Sequence, residues 1–502
     1  MSGKQIVGKN RVVLFFPDPL LPDTTWHRTP FSVISISGLL LENNVEVMIF
    51  DERVEQGIQK KVLSSLDRAI CFGISAFTGS QIKGGLDIAK VVKESYPDLP
   101  IVWGGWHPSI FPEQTLENPY VDIVVYGQGE RTFAELVERL KQGSSLDGLL
   151  GTAFKVDGNL VKNPARPLED INNFPPYTFN LVNLENYVGI HPVSKLRTMS
   201  YLSTQGCPYA CGFCVDKMVY NRRWFGLKSE RVIQEVTFLV KTYNLEGIYC
   251  EDNNFLVDKK RVEEICRGFI KNKLGIKWDT LGHPRQLAKF DDDFYELLKE
   301  SGCSRILTGA ESGEQAILDL VHKDSTVQDT IEFVKKAKRH GISPILSTMA
   351  GFPMSPRRDL HMTIKLALKL KRFYPETEFK LFLYTPYPGT DLYEMALKNG
   401  MKEPKSLLEW SKHTLRDVKT PWLDDRYRRL IRDVAFFYFQ LAYPSQATRE
   451  KIKEKRFAIL VKFVFRIFQR LARIRLSFNF YSFPIEITLY KLTRGIIDKT
   501  SE

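Results

Sequence analysis

Short apolar runs alternate with amphipathic segments along most of this chain, and that alternation restricts the folds it can adopt. Near-continuous apolar runs are typical of strands that helices cover on both faces of a parallel sheet. Segments with helical periodicity, such as GGLDIAKVVKESY (84–96), lie between them. The sequence therefore predicts a doubly wound α/β sheet over residues 8–143. Its predicted strands are RVVLFFP (11–17), VEVMIFD (45–51), AICFGIS (69–75), PIVWGGW (100–106) and DIVVYGQGE (122–130).

A second series of strands and helices follows a stretch rich in Pro and Asn, NPARPLEDINNFPPYTFN (163–180). That composition predicts a linker over 144–196. Six further strand-helix units predict a partial (β/α)6 barrel of the TIM type over 197–400, followed by a helical region over 401–502. The predicted barrel strands are YLSTQG (201–206), GIYCEDNN (247–254), IKWDTLG (276–282), RILTGAESG (305–313), PILSTMAGFP (344–353) and FKLFLYTPYPG (379–389).

Cysteine usage and hydropathy indicate the compartment. The chain has seven cysteines, and we see neither a signal segment nor a long uncharged apolar run. We therefore expect a protein of the reducing cytoplasm without a disulfide framework or a transmembrane span. Four of the cysteines lie singly in apolar runs or helical segments, and we expect them in the core. They are Cys71, Cys250, Cys266 and Cys303.

The other three cysteines, Cys207, Cys211 and Cys214, lie within eight residues directly after the first predicted barrel strand. Thiolates at such spacing bind zinc or iron-sulfur clusters, but closed zinc sites and ordinary clusters need four ligands. Three local ligands predict an iron-sulfur cluster with one open iron. A zinc site completed by a distant His or Cys is the alternative.

The spacing C-x3-C-x2-C, with Phe213 before the last cysteine and a barrel downstream, resembles the radical S-adenosylmethionine (SAM) superfamily over about Leu202 to Gly400. The resemblance implies a 4Fe-4S cluster on Cys207, Cys211 and Cys214 whose fourth iron chelates SAM. Reductive cleavage of SAM then yields a 5'-deoxyadenosyl radical, for which an electron donor of the flavodoxin or ferredoxin type is needed.

Other rim positions resemble the SAM-contacting elements of that superfamily. The text YCEDNN stands where the family carries Gly-Gly-Glu, so either Glu251 or Asp252 is expected to take the amino group of SAM. GAESG and AGFP resemble further elements, which implies contacts from Glu311, Ser312 and Gly351. The alternatives are a solvated loop at the two acids, a helix cap by Ser312 and a simple turn at AGFP.

The N-terminal sheet resembles the cobalamin-binding domain found in a subgroup of these enzymes. GGWHP (104–108) and YGQGE (126–130) carry the likeness, while DERVEQG (51–57) has Arg53 where other cobalamin proteins have a histidine under cobalt. Cobalt without a histidine ligand is thus implied, and His107 is expected to be a polar loop residue. The alternative is a sheet that binds nothing. The implied cobalamin contacts are Ser75, Thr78, Gly104, Gly105, Gly127, Gly129 and Glu130.

These features predict a cobalamin-dependent radical SAM enzyme that methylates an unactivated carbon of a small, apolar substrate. The alternative is radical cyclisation or oxidoreduction of a tetrapyrrole or lipid-like substrate, as in the anaerobic magnesium-protoporphyrin monomethyl ester cyclase group. A tRNA methylthiotransferase fits poorly because only Cys71 precedes residue 200, so we expect no nucleic-acid partner despite a net charge of +12. A non-enzymatic iron-sulfur carrier would not need a rim of cofactor contacts.

The C-terminal segment 456–478 carries basic residues at helical steps of four and three. Lys462, Arg466, Arg470 and Arg473 form that stripe, and apolar residues cover the rest of the helix. Such a helix predicts peripheral contact with a membrane surface. The alternative is a helix that packs its apolar face on the barrel and leaves the basic stripe in solvent. The apolar residues are Phe457, Leu460, Val461, Val464, Phe465, Ile467, Phe468 and Leu471.

Overall fold

The computed structural model of the protein describes residues 8–20, 26–354, 356–414, 418, 420–444 and 458–488. The chain divides into two compact units, which do not follow the domain boundaries predicted at 143, 196 and 400; those boundaries stay a prediction. The first unit comprises Met1–Leu281, Glu300–Cys303 and Thr385–Lys419, and the second comprises Gly282–Lys299, Ser304–Tyr384 and Thr420–Glu502.

The first unit contains a seven-stranded sheet of order β2-β1-β3-β4-β5-β6-β7. Its first five strands are parallel, with buried apolar side chains, and they lie where the sequence predicts the doubly wound sheet. They are β1 (Arg11–Phe16), β2 (Glu46–Asp51), β3 (Ala69–Ser75), β4 (Ile101–Gly104) and β5 (Ile123–Val125).

Two antiparallel strands extend this sheet, β6 (Thr152–Val156) and β7 (Asn159–Lys162). They lie inside the stretch that the sequence predicts as a linker. Their turn is Asp157-Gly158, a typical two-residue hairpin turn, and both residues have positive φ. The Pro- and Asn-rich composition of the following residues obscured this short hairpin.

The predicted barrel strands are present, with parallel neighbours in each unit. The first unit orders them β13-β12-β9, with the short antiparallel β8 beside β9. In the second unit, β14, β15 and β16 pair in parallel in that order. Their bounds are β8 (Gly189–Ile190), β9 (Arg197–Tyr201), β12 (Gly247–Cys250), β13 (Lys277–Leu281), β14 (Cys303–Glu311), β15 (Ser343–Ala350) and β16 (Glu378–Leu383).

The text YLSTQG, predicted as the first barrel strand, is divided between two elements. β9 ends at Tyr201, and Thr204–Gly206 forms β10, which pairs antiparallel with β11 (Trp224–Gly226). This small ribbon brackets the loop that carries the three clustered cysteines. The chain therefore leaves the barrel sheet before it reaches Cys207.

Helices follow most strands, as the alternating pattern predicts. In the first unit the longer ones are Ser80–Ser95, Gly129–Gln142, Ser229–Tyr243, Lys259–Lys271 and Asp391–Lys398, and the shorter ones are Phe31–Ser35, Gly38–Glu42, Ile58–Ser64, Trp106–Ile110, Pro112–Leu116, Asp216–Tyr220 and Leu407–Trp410. The second unit has Pro284–Lys289, Gln315–Leu320, Val327–Arg339, Pro356–Phe373, Asp425–Asp433, a π-helical turn Val434–Tyr438, Phe439–Ala442 and Ala458–Phe478; Asp292–Glu300 begins in it.

The four cysteines predicted for the core are buried and form no disulfide: Cys71, Cys250, Cys266 and Cys303. In the second unit, the core joins β15 and β16 to the helix Pro356–Phe373 and to the C-terminal helix Ala458–Phe478, which contributes Ala472 and Leu476. No helix in the described part of the chain is both long and apolar enough to cross a membrane.

Candidate active site

The cysteine loop runs from Cys207 to Cys214, between β10 and the helix Asp216–Tyr220. It begins at Gly206, whose φ is +80° and where a Cβ would lie 2.2 Å from the carbonyl oxygen of Arg223, so only glycine fits. Inside the loop the Cys214 N–H donates to the Cys211 carbonyl at 3.1 Å. The loop is therefore a compact turn with all three thiols on one short stretch.

The loop is also fastened to the helix Asp391–Lys398. The N–H of Leu392 donates to the carbonyl of Gly212 at 3.0 Å, and Lys217 pairs with Asp391 at 2.6 Å. Phe213 is half-buried and stands between Gly212 and Cys214 in the chain. The loop is thus held from a second element of the same unit.

The thiols suit a cluster that supplies its own positive charge. Cys211 is buried, and burial together with Asp216 raises the pKa of the Cys214 thiol to about 12. Three soft donors in one partly buried turn fit a 4Fe-4S cluster with one iron left for another ligand. In the described part of the chain, no three His, Cys, Asp or Glu side chains are placed to hold a single metal ion.

A buried carboxylate ties the cysteine loop to the end of β12. Asp216 accepts a hydrogen bond from Asn253 Nδ2 at 2.5 Å, and it is also hydrogen bonded to the Cys207 backbone. Burial raises the pKa of Asp216 to about 7. Asn253 directly follows the two acids predicted for SAM, so this contact positions the loop against them.

Glu251 and Asp252 have different surroundings at that strand end. Asp252 is fully buried, and its Oδ1 accepts from the N–H and the Oγ of Ser203 at 2.9 and 3.0 Å. Arg261 donates to the same Ser203 hydroxyl at 2.8 Å. Burial raises the pKa of Asp252, and the positive charge of Arg261 offsets only part of that rise. Asp252 therefore belongs to a buried hydrogen-bond network.

Glu251 keeps a side chain that is 19% exposed. Its Oε1 lies 3.5 Å from Arg28 Nε, too far for a hydrogen bond, and within the described residues this buried atom has no hydrogen-bond partner. Burial outweighs the attraction of Arg28 and raises the pKa of Glu251 to about 7. A buried acceptor without a donor is suited to a ligand's ammonium group.

The cobalamin-like sheet contacts the cysteine loop through Gln205 on β10. Gln205 donates to Glu130 Oε1 at 2.7 Å, and its own Oε1 accepts from Gln128 at 3.0 Å. Glu130 is buried, and burial raises its pKa. Glu130, which the resemblance assigned to cobalamin, is thus hydrogen bonded to the residue two positions before Cys207.

The other predicted cobalamin contacts lie at the carboxyl ends of β3, β4 and β5. Gly105 has φ +97°, and a Cβ there would lie 2.9 Å from the backbone of Ala76, which lets β3 and β4 approach closely at this edge. Gly127 has φ +80° with open space where a Cβ would lie. A flat ligand fits such an edge, where backbone is uncovered. Ser75, Thr78, Gly104 and Gly129 also lie at this edge or in the turns after it.

His107 and Arg53 bear on the predicted cobalt ligand. His107 is fully buried, its Nδ1 lies 3.0 Å from Thr78 Oγ1, and burial lowers its pKa to about 3. It is therefore a core residue and not the polar loop residue that the sequence predicts. Arg53 forms a buried pair with Asp51 at 2.5 Å, and Tyr187 donates to the same carboxylate at 3.0 Å.

The remaining SAM candidates lie in the second unit. Glu311 has φ +54° and pairs with Lys323 at 2.9 Å, where Gly309 leaves room for both side chains. Ser312 donates to Asp359 and accepts from the Glu314 N–H at 2.9 Å, a turn before the helix Gln315–Leu320. The N-cap position of that helix is Glu314, so Ser312 is not the helix cap considered as its alternative. The carbonyl of Gly351 accepts from Trp422 Nε1 at 2.9 Å. Their contacts with SAM stay a prediction.

Sequence reasoning missed four residues that position this site: Arg28, Gln205, Asp216 and Asn253. Each is polar and three of them lie within two residues of an assigned position, which is the signal that could have found them. Arg28 has no such signal because its contact with Glu251 joins residues more than two hundred positions apart.

Comparisons with known proteins agree with this arrangement. The family described as the Radical SAM superfamily matches residues 201–367, and the B12 binding domain matches residues 28–137. The chain is 33% identical over 359 residues to an uncharacterized methyltransferase, PH0819, of Pyrococcus horikoshii, covering 71% of this chain and 75% of that protein. It is 26% identical over 381 residues to the anaerobic magnesium-protoporphyrin IX monomethyl ester cyclase of Rubrivivax gelatinosus, covering 72% of this chain and 65% of that protein, just under two thirds.

Among solved structures, the cobalamin-dependent S-adenosylmethionine radical enzyme OxsB, with aqua-cobalamin and S-adenosylmethionine bound, superposes with a TM-score of 0.72. It is 18% identical and covers 94% of this chain and 72% of that chain. The predicted fold class, an N-terminal α/β sheet domain followed by a partial barrel and a helical C-terminal region, is confirmed. The protein is a radical SAM enzyme whose cofactors are a 4Fe-4S cluster, SAM and cobalamin, and the chain belongs to the cobalamin-binding subgroup of the radical SAM superfamily.

Proposed function

We propose that this enzyme transfers a methyl group to an unactivated carbon of a small, apolar molecule. One structural observation carries the proposal: Gln205 joins Glu130 and Gln128 of the cobalamin-like domain to the strand that leads into Cys207. Because methyl transfer would need both cofactors to reach one substrate carbon, the residues that would hold them have to be kept at a fixed separation. The relationship to the methyltransferase PH0819 supports the same reaction class.

The cofactors bring the reactive groups, and the protein holds them. When bound, the cluster and SAM supply a 5'-deoxyadenosyl radical that takes a hydrogen atom, and cobalamin supplies the methyl group. Cys207, Cys211 and Cys214 are the proposed ligands of three irons. The contacts of Asp216 with Asn253 and with the Cys207 backbone hold the ligand loop in place.

We assign the amino group of SAM to Glu251 and not to Asp252. Each carboxylate has one buried oxygen without a hydrogen-bond partner among the described residues, Oε1 of Glu251 and Oδ2 of Asp252. Asp252 is fully buried and its Oδ1 accepts from Ser203, whereas the side chain of Glu251 is 19% exposed, so we place the ammonium group at Glu251 Oε1. A bound ammonium group would satisfy that atom and offset the cost of burying the carboxylate. Phe213, Glu311, Ser312 and Gly351 remain proposed contacts of SAM.

For cobalamin, the proposed contacts are Ser75, Thr78, Gly104, Gly105, Gly127 and Gly129 at the sheet edge. The buried Asp51–Arg53 pair occupies the position where other cobalamin proteins place a histidine. The side chain of Glu130 already contacts Gln205, so its proposed role at this edge is to hold the domain against β10.

A second candidate is radical cyclisation or oxidoreduction of a tetrapyrrole or lipid-like substrate without methyl transfer. The relationship to the magnesium-protoporphyrin cyclase favours it, although at lower identity. We also propose a cytoplasmic enzyme with a flavodoxin or ferredoxin as electron donor and peripheral membrane contact through the C-terminal helix. We do not propose a nucleic-acid substrate.

The test uses SAM with a deuterium-labelled methyl group. Anaerobically reconstituted enzyme with cobalamin and a reductant should form 5'-deoxyadenosine and transfer the label to a compound in extracts of a deletion strain. Cys211→Ala should lose cluster absorption and both products, while Cys266→Ala, a change at a buried cysteine outside the loop, should retain them. Transfer of the label by Cys211→Ala would contradict the proposal. A product that has lost hydrogen and gained no label would favour cyclisation.

A further inference from the structure

The C-terminal helix Ala458–Phe478 buries one face in the second unit and leaves the opposite face exposed. Ala472 and Leu476 lie in the core, and Arg475 is buried beside them. Arg473 Nε donates to the Ala442 carbonyl at 3.1 Å, which uses one residue of the predicted basic stripe to dock the helix. The helix therefore has its place in the fold before any further partner is considered.

The exposed face is apolar. Phe463, Ile467, Ile474 and Phe478 follow one another at steps of four, seven and four residues, so they share one side of the helix. All four are exposed, and Phe478 is 77% exposed. Such a line of large exposed apolar side chains marks a contact surface.

The turn after the helix extends this surface. Phe480, Phe483 and Ile485 are exposed, and Phe483 is 80% exposed. Arg475 holds the turn: its guanidinium donates to the carbonyls of Ser482 at 2.8 Å and Phe483 at 2.7 Å. Phe483 is thereby kept at a φ of +53°, a conformation that costs free energy for a bulky residue.

Positive charge accompanies the apolar line. Arg466 and Arg470 are exposed, and Arg470 lies on the same side of the helix as Ile467 and Ile474. The sequence has no Asp or Glu between residues 457 and 485; the nearest, Glu486, is buried and bonded to Arg475. A second copy of this chain across a two-fold axis would bring like charges together, whereas an anionic surface would be attracted.

We propose that this face, consisting of Phe463, Ile467, Arg466, Arg470, Ile474 and Phe478 with the turn 480–485, docks the enzyme on an anionic lipid surface. Exposed apolar side chains with flanking arginines, on a segment without Asp or Glu from 457 to 485, are what an interfacial helix requires. This deepens the membrane contact in the proposed function and does not depend on methyl transfer. The predicted alternative, a helix that packs its apolar face and leaves only charge exposed, does not account for these side chains.

Vesicle flotation of the full chain tests the inference. Vesicles of equal parts phosphatidylcholine and phosphatidylglycerol should carry the protein upward, whereas pure phosphatidylcholine should bind it less, and salt should weaken binding. Arg466→Gln with Arg470→Gln should weaken binding about fivefold per arginine, from roughly 1 kcal/mol for each basic residue near an anionic surface. Phe478→Ser with Phe483→Ser should abolish flotation.

Phe238→Ser is the matched control, since Phe238 is an exposed aromatic on a helix of the first unit and should leave flotation unchanged. Absence of flotation by the intact protein, or flotation unaffected by the Phe478 and Phe483 changes, would overturn the inference. Dimerisation that these changes abolish, without vesicle binding, would assign the face to a second copy instead. SAM cleavage measured without vesicles separates this result from failure of the proposed function.

Discussion

Asn253 donates a hydrogen bond to Asp216 at 2.5 Å and so links the end of β12 to the first turn after Cys214. Asp216 is also hydrogen bonded to the Cys207 backbone, which makes one buried carboxylate the tie between both ends of the cysteine loop. We expect Asp216→Ala to free the loop, because the exposed Asn253 side chain and the half-buried Cys207 backbone both lose their partner, at a cost of about 0.5–1.5 kcal/mol for each hydrogen bond. Iron content after anaerobic reconstitution should fall, and the cluster's electron paramagnetic resonance signal should broaden.

The matched change is Asn253→Ala, which removes one contact and keeps the bond between Asp216 and Cys207. It should lower iron content less than Asp216→Ala does. Equal iron content in wild type and both variants would show that the hydrogen bonds of Asp216 do not organise the cysteine loop. Circular dichroism of each variant separates a local effect from general unfolding.

Gln205 is expected to be a stabilising contact between the cobalamin-like domain and β10. Gln205→Ala would remove one of the donors to the buried carboxylate of Glu130, and we expect the free energy of unfolding to fall by about 1–3 kcal/mol. Adding Glu130→Gln removes the charge, so the double variant should recover part of the loss. Urea denaturation measures both, and additive effects of the two changes would contradict a direct interaction.

Glu251 and Asp252 are expected to respond differently to neutralisation. Glu251→Gln should leave the melting temperature near that of wild type and weaken SAM binding, because its side chain is partly exposed and its ion pair with the exposed Arg28 is long, at 3.5 Å. Asp252→Ala should lower the melting temperature, because Ser203 and Arg261 then lose a buried partner. Calorimetric titration with SAM and thermal unfolding of the same samples distinguish the two. Weakened SAM binding by a fully stable Asp252→Asn variant would reverse the assignment.

Cobalt is expected to have no histidine ligand from this chain. Arg53 forms an ion pair with Asp51, and the Nδ1 of His107 is hydrogen bonded to Thr78. Replacing His107 should therefore leave any nitrogen splitting in the electron paramagnetic resonance spectrum of the Co(II) form unchanged. A split signal that disappears in His107→Gln would refute this, and His107→Phe checks that the core tolerates the loss.

The strand pattern made most of the fold predictable. Parallel strands buried on both faces, such as β1 and β3, are continuous apolar runs, and the sequence shows them directly. The hairpin of β6 and β7 escaped prediction because its outer strand is mostly exposed and has no buried run. The cysteine loop was evident because cluster chemistry dictates both residue type and spacing.

The contacts that hold the site were not predictable in the same way. Arg28 pairs with Glu251, and Gln205 with Glu130, because segments far apart in the sequence pack together. The local hydrophobic pattern of the sequence carries no information about such long-range packing. The prediction of His107 as a polar loop residue was wrong for a related reason. Its ring is buried against Trp410, which lies about three hundred residues further along the chain. The local sequence pattern thus identified the kind of cofactor, and tertiary packing determined which residues position the cofactor-binding side chains.

Asp359 is expected to make the stability of the second unit depend on pH. It is fully buried, accepts from Ser312, and has a pKa raised to about 7 by burial and then by Glu314, against the ordinary 3.8. The folded protein therefore holds a proton at pH values where the unfolded chain has released it. The free energy of unfolding should fall as pH rises from about 4 to about 7 and level off above that, with a total change of up to about 4 kcal/mol for a pKa difference of roughly 3 units.

Asp359→Asn keeps an acceptor for Ser312 and cannot ionise. Urea denaturation of this variant should therefore show a smaller loss of unfolding free energy between about pH 5 and pH 8 than wild type shows. Asp425→Asn, a change at a carboxylate that is 88% exposed, should leave the loss as in wild type. An equal loss in wild type and Asp359→Asn would show that Asp359 is already ionised at low pH.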